Sequence, residues 1–180
     1  MRKIPTIYQR NLQKMQEIVP IQNSSCYWVF EGEGVATRKY DGTCCLIDNG
    51  KLFKRRELKQ GSPVPVEFVK ADFDEVTGKT VGWMPVTPDD KWHIAAFKEG
   101  LPDGTYELLG PKIQGNPEGF ADHRLLKHSD AERYELKDVN RTFLGLREFM
   151  MDKDIEGLVF HHSDGRMAKI KKRDYGLKRT

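Results

Sequence analysis

The stretch Ile155-Glu156-Gly157-Leu158-Val159-Phe160-His161-His162-Ser163-Asp164-Gly165-Arg166-Met167-Ala168-Lys169-Ile170-Lys171-Lys172 decides the fold class. Two largely apolar runs flank Ser163-Asp164-Gly165, residues that tolerate a tight reversal, so 155–161 and 167–172 read as the arms of a β-hairpin. Residues two apart on a strand face the same side, which puts Lys169 and Lys171 together and sends Ile170 toward a core. Glu156 is a lone carboxylate at the head of the outgoing strand.

A second hairpin is written at 43–58, where two short strand-like runs flank Asp48-Asn49-Gly50, a triplet suited to positive φ. Residues 105–109 and 124–127 read as further strands. Three helices are expected alongside them, the first near the N-terminus. Tyr8, Leu12, Met15 and Val19 recur at helical spacing after Thr6 and before Pro20, which predicts an amphipathic helix. Thr87-Pro88-Asp89-Asp90 looks like a capped helix start, with Trp92, Ala95 and Ala96 as its inner face. Phe143, Leu146, Phe149 and Met150 repeat at helical spacing after Asn140 or Thr142. Strands with interspersed helices give an α+β fold built on antiparallel sheet. No repeat or long Gly/Ser linker interrupts the chain, so a single domain over 1–180 is expected.

Composition narrows the class further. An apolar content of 38% with nine Phe, six Tyr and three Trp is enough to fill a core, which argues against disorder. The net charge is only +3, but its distribution is uneven: residues 166–180 hold seven Lys and Arg against Asp174 alone. No apolar run approaches the roughly 18 residues needed to span a bilayer, and the N-terminus lacks the apolar segment of a signal peptide, so cytoplasmic residence (the host's cytoplasm, were the source viral) is the expectation. Cys26, Cys44 and Cys45 have no metal-ligand or disulfide pattern and are expected as reduced thiols in or near the core. The five histidines show no ligand spacing either.

Reactive groups gather in four local patterns: Lys39-Tyr40-Asp41-Gly42, Tyr106-Glu107-Leu108-Leu109-Gly110, Glu156-Gly157-Leu158-Val159-Phe160 and Lys169-Ile170-Lys171. Each alone has a plain structural explanation, such as a charged turn before a strand or a strand-end acid paired with Lys153. In this order they form a series. It resembles the covalent nucleotidyltransferase superfamily of ATP-dependent DNA ligases, RNA ligases and mRNA capping enzymes, and spans almost the whole chain. Thr43-Cys44-Cys45, Pro85-Val86 followed by Asp90-Lys91-Trp92-His93, and Glu107-Leu108-Leu109-Gly110-Pro111-Lys112 narrow the likeness to the small ATP-dependent RNA ligases of vertebrates, microbes and phages.

The resemblance implies an antiparallel-sheet nucleotidyltransferase (ATP-grasp-like adenylation) domain that uses ATP with Mg²⁺, or Mn²⁺ in its place, to join RNA 5′-phosphate and 3′-hydroxyl ends. Lys39 would be the nucleophile, and its amine must be unprotonated to attack phosphorus. Arg38, Lys169 and Lys171, if gathered, would favour the neutral amine by like-charge repulsion. Lys169 and Lys171 would also neutralise phosphate charge. Glu156 is the implied metal ligand and Glu107 the implied ribose partner. Thr37 and Arg38 fall where the family reads the adenine edge, and Asp41 and Gly42 complete the lysine loop. Arg55 or Arg56 occupies the place of a nucleotide- or phosphate-contacting arginine, with Arg55 favoured. The family's base-stacking aromatic has no clear counterpart in His123-Arg124-Leu125-Leu126-Lys127-His128; Phe120 and His128 are the nearest substitutes. Only nine residues follow Lys171, so a minimal adenylation domain without a C-terminal oligonucleotide-binding barrel is expected. Its basic segment 166–180 would then offer Lys172, Arg173, Lys178 and Arg179 to RNA phosphates. A nick-sealing DNA ligase, a GTP-using capping-type enzyme and a non-catalytic RNA-binding module are the competing readings.

Overall fold

The computed structural model describes residues 1–75 and 77–179. Its contacts divide the chain into two compact units, one formed by Met1–Lys3 with Asp41–Asp130 and the other by Ile4–Tyr40 with the residues from Ala131 onward.

The second of these units begins with β1 (Tyr8–Arg10), β2 (Ile18–Gln22), a short helix α1 (Tyr27–Phe30) and β3 (Val35–Lys39). It resumes with β10 (Arg133–Tyr134), α3 (Phe143–Met151), β11 (Gly157–His161) and β12 (Met167–Lys171). The four-stranded sheet runs β10-β3-β11-β12, and every pairing within it is antiparallel. Residues 5–7 run along the outside of β12, where Ile7 N donates to Lys169 O and Lys169 N to Pro5 O. The expected C-terminal hairpin is present over β11 and β12. The expected N-terminal helix is not: residues 8–22 form an antiparallel pair instead. The apparent helical stripe fails because Leu12 and Met15 are exposed while Tyr8 and Ile18, which no helical period relates, are buried. The third expected helix is α3, capped by the Thr142 hydroxyl, which accepts from Gly145 N. Its buried Leu146 and Met150 pack with Ile7, Trp28, Val29, Ile155, Leu158, Phe160 and Ile170.

The other unit is a six-stranded antiparallel sheet, ordered β6-β7-β5-β4-β8-β9. Its strands are β4 (Thr43–Asp48), β5 (Lys51–Leu58), β6 (Val69–Asp74), β7 (Lys79–Pro85), β8 (Gly104–Leu109) and β9 (Arg124–Lys127). The β4–β5 turn has Asn49 at φ 50° and Gly50 at φ 71°, the pair of positive angles a two-residue hairpin requires. Cys45, Ile47, Leu52, Tyr106, Leu108 and Ile113 form the core under α2 (Lys91–Ala96). That helix starts later than the sequence suggests. Asp90 is its N-cap residue without a side-chain cap, because its carboxylate is turned to Thr87 and Lys54. Of the expected inner face only Ala96 is buried; Trp92 and Ala95 are exposed. Cys26 and Cys45 are buried free thiols, and Cys44 is half-buried.

Candidate active site

The three-strand register of β3, β11 and β12 builds the centre of the site. Gly157 pairs with Lys39 on one side and Lys171 on the other, and Val159 pairs in the same way with Thr37 and Lys169. Residues directly across a sheet share a face, so Lys39, Lys171, Thr37 and Lys169 occupy two adjacent rows of one face. The alternate residues, Ala36, Leu158, Phe160, Ala168 and Ile170, are buried on the other. Sequence alternation therefore separates the reactive face from the core.

Glu156 enters this face from the head of β11. Its two carboxylate oxygens accept from Lys39 Nζ and Lys171 Nζ, each at 2.5 Å. Burial acts to raise the Glu156 pKa, but Lys39 and Lys171 outweigh it, and the carboxyl is held below its ordinary value. Lys169 stands in the next row. Burial, followed by repulsion from Lys171 and Lys39, pushes its pKa down to about 8. Burial and then Lys39 also lower Lys171. One carboxylate thus serves a cluster of three amines, so loss of a proton is a property of the group. Gly157 is required by packing: an added Cβ would lie 2.7 Å from Lys171 Cα and still closer to the Ile170 carbonyl.

Thr37 is buried with its hydroxyl donating to Val159 O at 3.2 Å and 3.0 Å from His161 Nε2. His161 is a supporting residue whose role has no motif; only the pairing of β3 with β11 reveals it. Arg38 lies on the opposite face from Lys39. Its guanidinium donates to Asp154 O and pairs with Glu132 at 3.6 Å, so strand alternation turns it away from the amine cluster. Lys153 is not the partner of Glu156; its ammonium lies over Phe149.

The remaining candidates belong to the six-stranded sheet. Glu107 on β8 is nearly buried, and its carboxylate is 2.9 Å from His128 Nε2, while His128 Nδ1 is 2.9 Å from the Thr105 hydroxyl. With both ring nitrogens engaged, His128 positions Glu107, a role distinct from the stacking one considered from sequence. Phe120 carries Arg124 over its ring at 4.3 Å, and His123 stacks on Trp92 at 4.7 Å. Arg55 shares a row with Trp83, lies over that ring and donates to Met1 O. Cys44 pairs with Glu107, and the neighbouring Cys45 pairs with Lys54. By alternation Arg55 is on the Glu107 face of the sheet and Arg56 on the other. Gly42 sits where an added Cβ would be 2.8 Å from Glu107 Cγ, and Asp41 N donates to Glu118 at 2.9 Å.

The basic C-terminal segment divides in two. Lys172 is buried, its ammonium donating to the carbonyls of Met151 and Lys153, so it ties α3 to the hairpin and is not available to phosphate. Arg179 pairs with Asp154 at 2.6 Å. Arg173 and Lys178 are exposed; Thr180 lies outside the described residues.

Among the described residues no group of three or more His, Cys, Asp or Glu comes together. Glu156 could give a divalent ion a single carboxylate, a set that suits Mg²⁺ when phosphate oxygens and water complete the shell.

No family model matches the chain. Curated relatives do. It is similar to RNA ligase 1 of Rattus norvegicus, 26% identical over an alignment 223 positions long that covers 79% of this chain and 67% of the relative. RNA ligase 1 of Mus musculus is 26% identical over 219, with the same shares. RNA ligase 1 of Pongo abelii is 28% identical over 159, covering 68% of this chain and 46% of the relative. These similarities bear out the resemblance to RNA ligases read from the motifs.

Proposed function

We propose that this chain is an ATP-dependent RNA ligase in which Lys39 carries the nucleotide. The observation that carries the reading is the gathering of Lys39, Lys169 and Lys171 around Glu156 on one sheet face. Residues separated by more than a hundred positions in sequence meet there, and they are chemically matched to nucleotidyl transfer. A phosphate-binding surface needs the cations but not a carboxylate held between them.

In the first step the Lys39 Nζ lone pair attacks the α-phosphorus of ATP. A P–N bond forms, the bond to the bridging oxygen breaks, pyrophosphate leaves with that electron pair and the amine loses a proton. In the second, an oxygen of the RNA 5′-phosphate attacks the same phosphorus, the P–N bond breaks and Lys39 regains its proton. In the third, the 3′-hydroxyl attacks the adenylated 5′-phosphate, giving a phosphodiester and releasing AMP.

Glu156 accepts hydrogen bonds from both Lys39 and Lys171 and so fixes the amine of Lys39 beside that of Lys171. Lys169 and Lys171 supply positive charge in a partly desolvated site, where it acts strongly on developing negative charge. A bound Mg²⁺ or Mn²⁺, held by Glu156, would neutralise phosphate charge. The roles of Thr37, Asp41, Gly42, Arg55 and Glu107 in nucleotide recognition follow from the family pattern. Arg38 would contribute only through its main chain.

The test is incubation with Mg²⁺ and α-labelled ATP. Label that survives denaturation, is released by acid and is absent from Lys39→Ala is the expected result. Label from GTP alone would assign a capping-type enzyme, and sealing of DNA but not RNA would assign a DNA ligase. Absence of any covalent label overturns the proposal in favour of a binding module.

A further inference from the structure

The outer three strands of the six-stranded sheet sort their charges by face. Glu57 and Asp72 both pair with Val81, and Asp74 pairs with Lys79, so every acid on β5, β6 and β7 is on one face. That face also carries the compensating cations: Lys79 bonds Glu57 at 2.5 Å and Lys3 bonds Asp74. On the other face Arg56 and Lys70 both pair with Gly82, one from each side, and the next row is Leu58, Thr80 and Phe73. No acid of the three strands shares it.

Arg56 and Lys70 are exposed, and among the described residues neither makes an ion pair. The space between them is occupied by an aromatic ring. A Cβ added to Gly82 would be 2.7 Å from Phe68 Cε2, so the missing side chain lets the Phe68 ring lie against the strand. Phe73 is 45% exposed, with the Lys70 ammonium 5.5 Å from its ring centre. Two cations whose backbones are about 10 Å apart, from the spacing of adjacent strands, therefore bracket one aromatic ring and adjoin another.

We infer that this face binds a single-stranded segment of RNA, its bases stacking on Phe73 and Phe68 and its phosphates meeting Arg56 and Lys70. Aromatic platforms combined with cations are how unpaired strands are held without sequence preference. A folded protein partner would require the patch to be matched by acids, whereas RNA supplies negative charge and flat rings together. The inference rests on RNA being the substrate and adds a place for the strand beyond the joined end. It also gives Arg56, turned away from the Glu107 face, a task.

The experiment uses the full chain and a fluorescein-labelled, 5′-phosphorylated single-stranded RNA of about 20 nucleotides, followed by anisotropy over a range of salt concentrations. Arg56→Gln/Lys70→Gln should weaken binding about tenfold or more and lower the salt slope by roughly 1.4, the value for two phosphate contacts on a single strand. Phe73→Ala should weaken it by about fivefold or more. Both variants should still take label from ATP at Lys39, which shows that they fold. Unchanged affinity and salt slope in the double variant, an unaffected Phe73→Ala, or a parent protein that does not bind the RNA would each overturn the inference. Failure of the parent to take label from ATP would instead overturn the ligase reading, while the anisotropy would still report on this face.

Discussion

Lys169 shows how a half-buried charge sets a stability cost. Its folded pKa of about 8 is below the ordinary 10.5, so between those values the unfolded chain holds a proton that the folded chain has released. Stability therefore rises with pH across that window, and the penalty is complete at pH 7. Lys169→Met should remove it, stabilising the protein at pH 7 by on the order of 3 kcal/mol. Denaturant titrations at pH 7 and near pH 10.5 check this: the gain should shrink at the higher pH, and nucleotide transfer should be lost at both. Glu156 has the opposite sign. Its carboxyl is held below its ordinary 4.5, so its contribution is present above that pH and fades as the pH falls through the depressed folded value. Glu156→Gln leaves two ammonium groups together without their counter-ion and should cost about 3 kcal/mol. Adding Lys171→Met to it should recover part of that loss, a coupling that a double-mutant cycle measures.

At the scale of single elements, β11 is the strand on which the site depends, since it pairs with the strands of both Lys39 and Lys171. Gly157→Ala places a methyl group against the Ile170 carbonyl and Lys171 Cα, so β11 and β12 must move apart at the row holding both amines. A loss of about 2 kcal/mol in stability with a larger loss of AMP transfer is expected, read by thermal unfolding and covalent labelling on the same preparations. Both hairpins were legible because their turns carry residues suited to tight reversal and their strands alternate. The face shared by Lys169 and Lys171 followed from the same period of two. The N-terminal pair was not legible: Tyr8, Leu12, Met15 and Val19 imitate a helical stripe, and only the tertiary structure shows Leu12 to be 90% exposed. Nor could β3 with Arg38 be oriented from sequence, because alternation gives relative faces and the pairing with β11 says which of them is the core. The link from His128 to Glu107 was hidden for a similar reason, since His128 follows the paired strand by one residue and no spacing rule connects the two.

For the molecule as a whole, the path of the chain is the informative feature. Residues 41–130 are a continuous insertion into the unit that carries Lys39, Glu156, Lys169 and Lys171. The chain leaves and re-enters that unit at neighbouring points. Arg38 N donates to Glu132 O at 2.7 Å, and Thr37 pairs with Arg133 across β3 and β10. Continuing that antiparallel register puts position 131 opposite Lys39, a separation that a three-residue hairpin loop ending in glycine closes, here Tyr40 followed by two added residues. The core of this unit is drawn from its own elements: Ile7 and Tyr8 at the N-terminal pair, Trp28 and Val29 on α1, Leu146 and Met150 on α3, and Leu158, Phe160, Ala168 and Ile170 in the hairpin. A shortened chain in which Asn-Gly replaces residues 41–130 should therefore fold, with a cooperative thermal transition by circular dichroism and protected amides in β11 and β12 by hydrogen exchange. Burial is the largest cause of the lowered Lys169 pKa and repulsion from Lys171 and Lys39 adds to it; both amines remain in the shortened chain, so it should keep at least the part of the rise in stability above about pH 8 that they impose. A broad, non-cooperative transition would show that this core is insufficient alone. A normal transition without the pH-dependent rise would show that the amine cluster needs residues 41–130 to assemble.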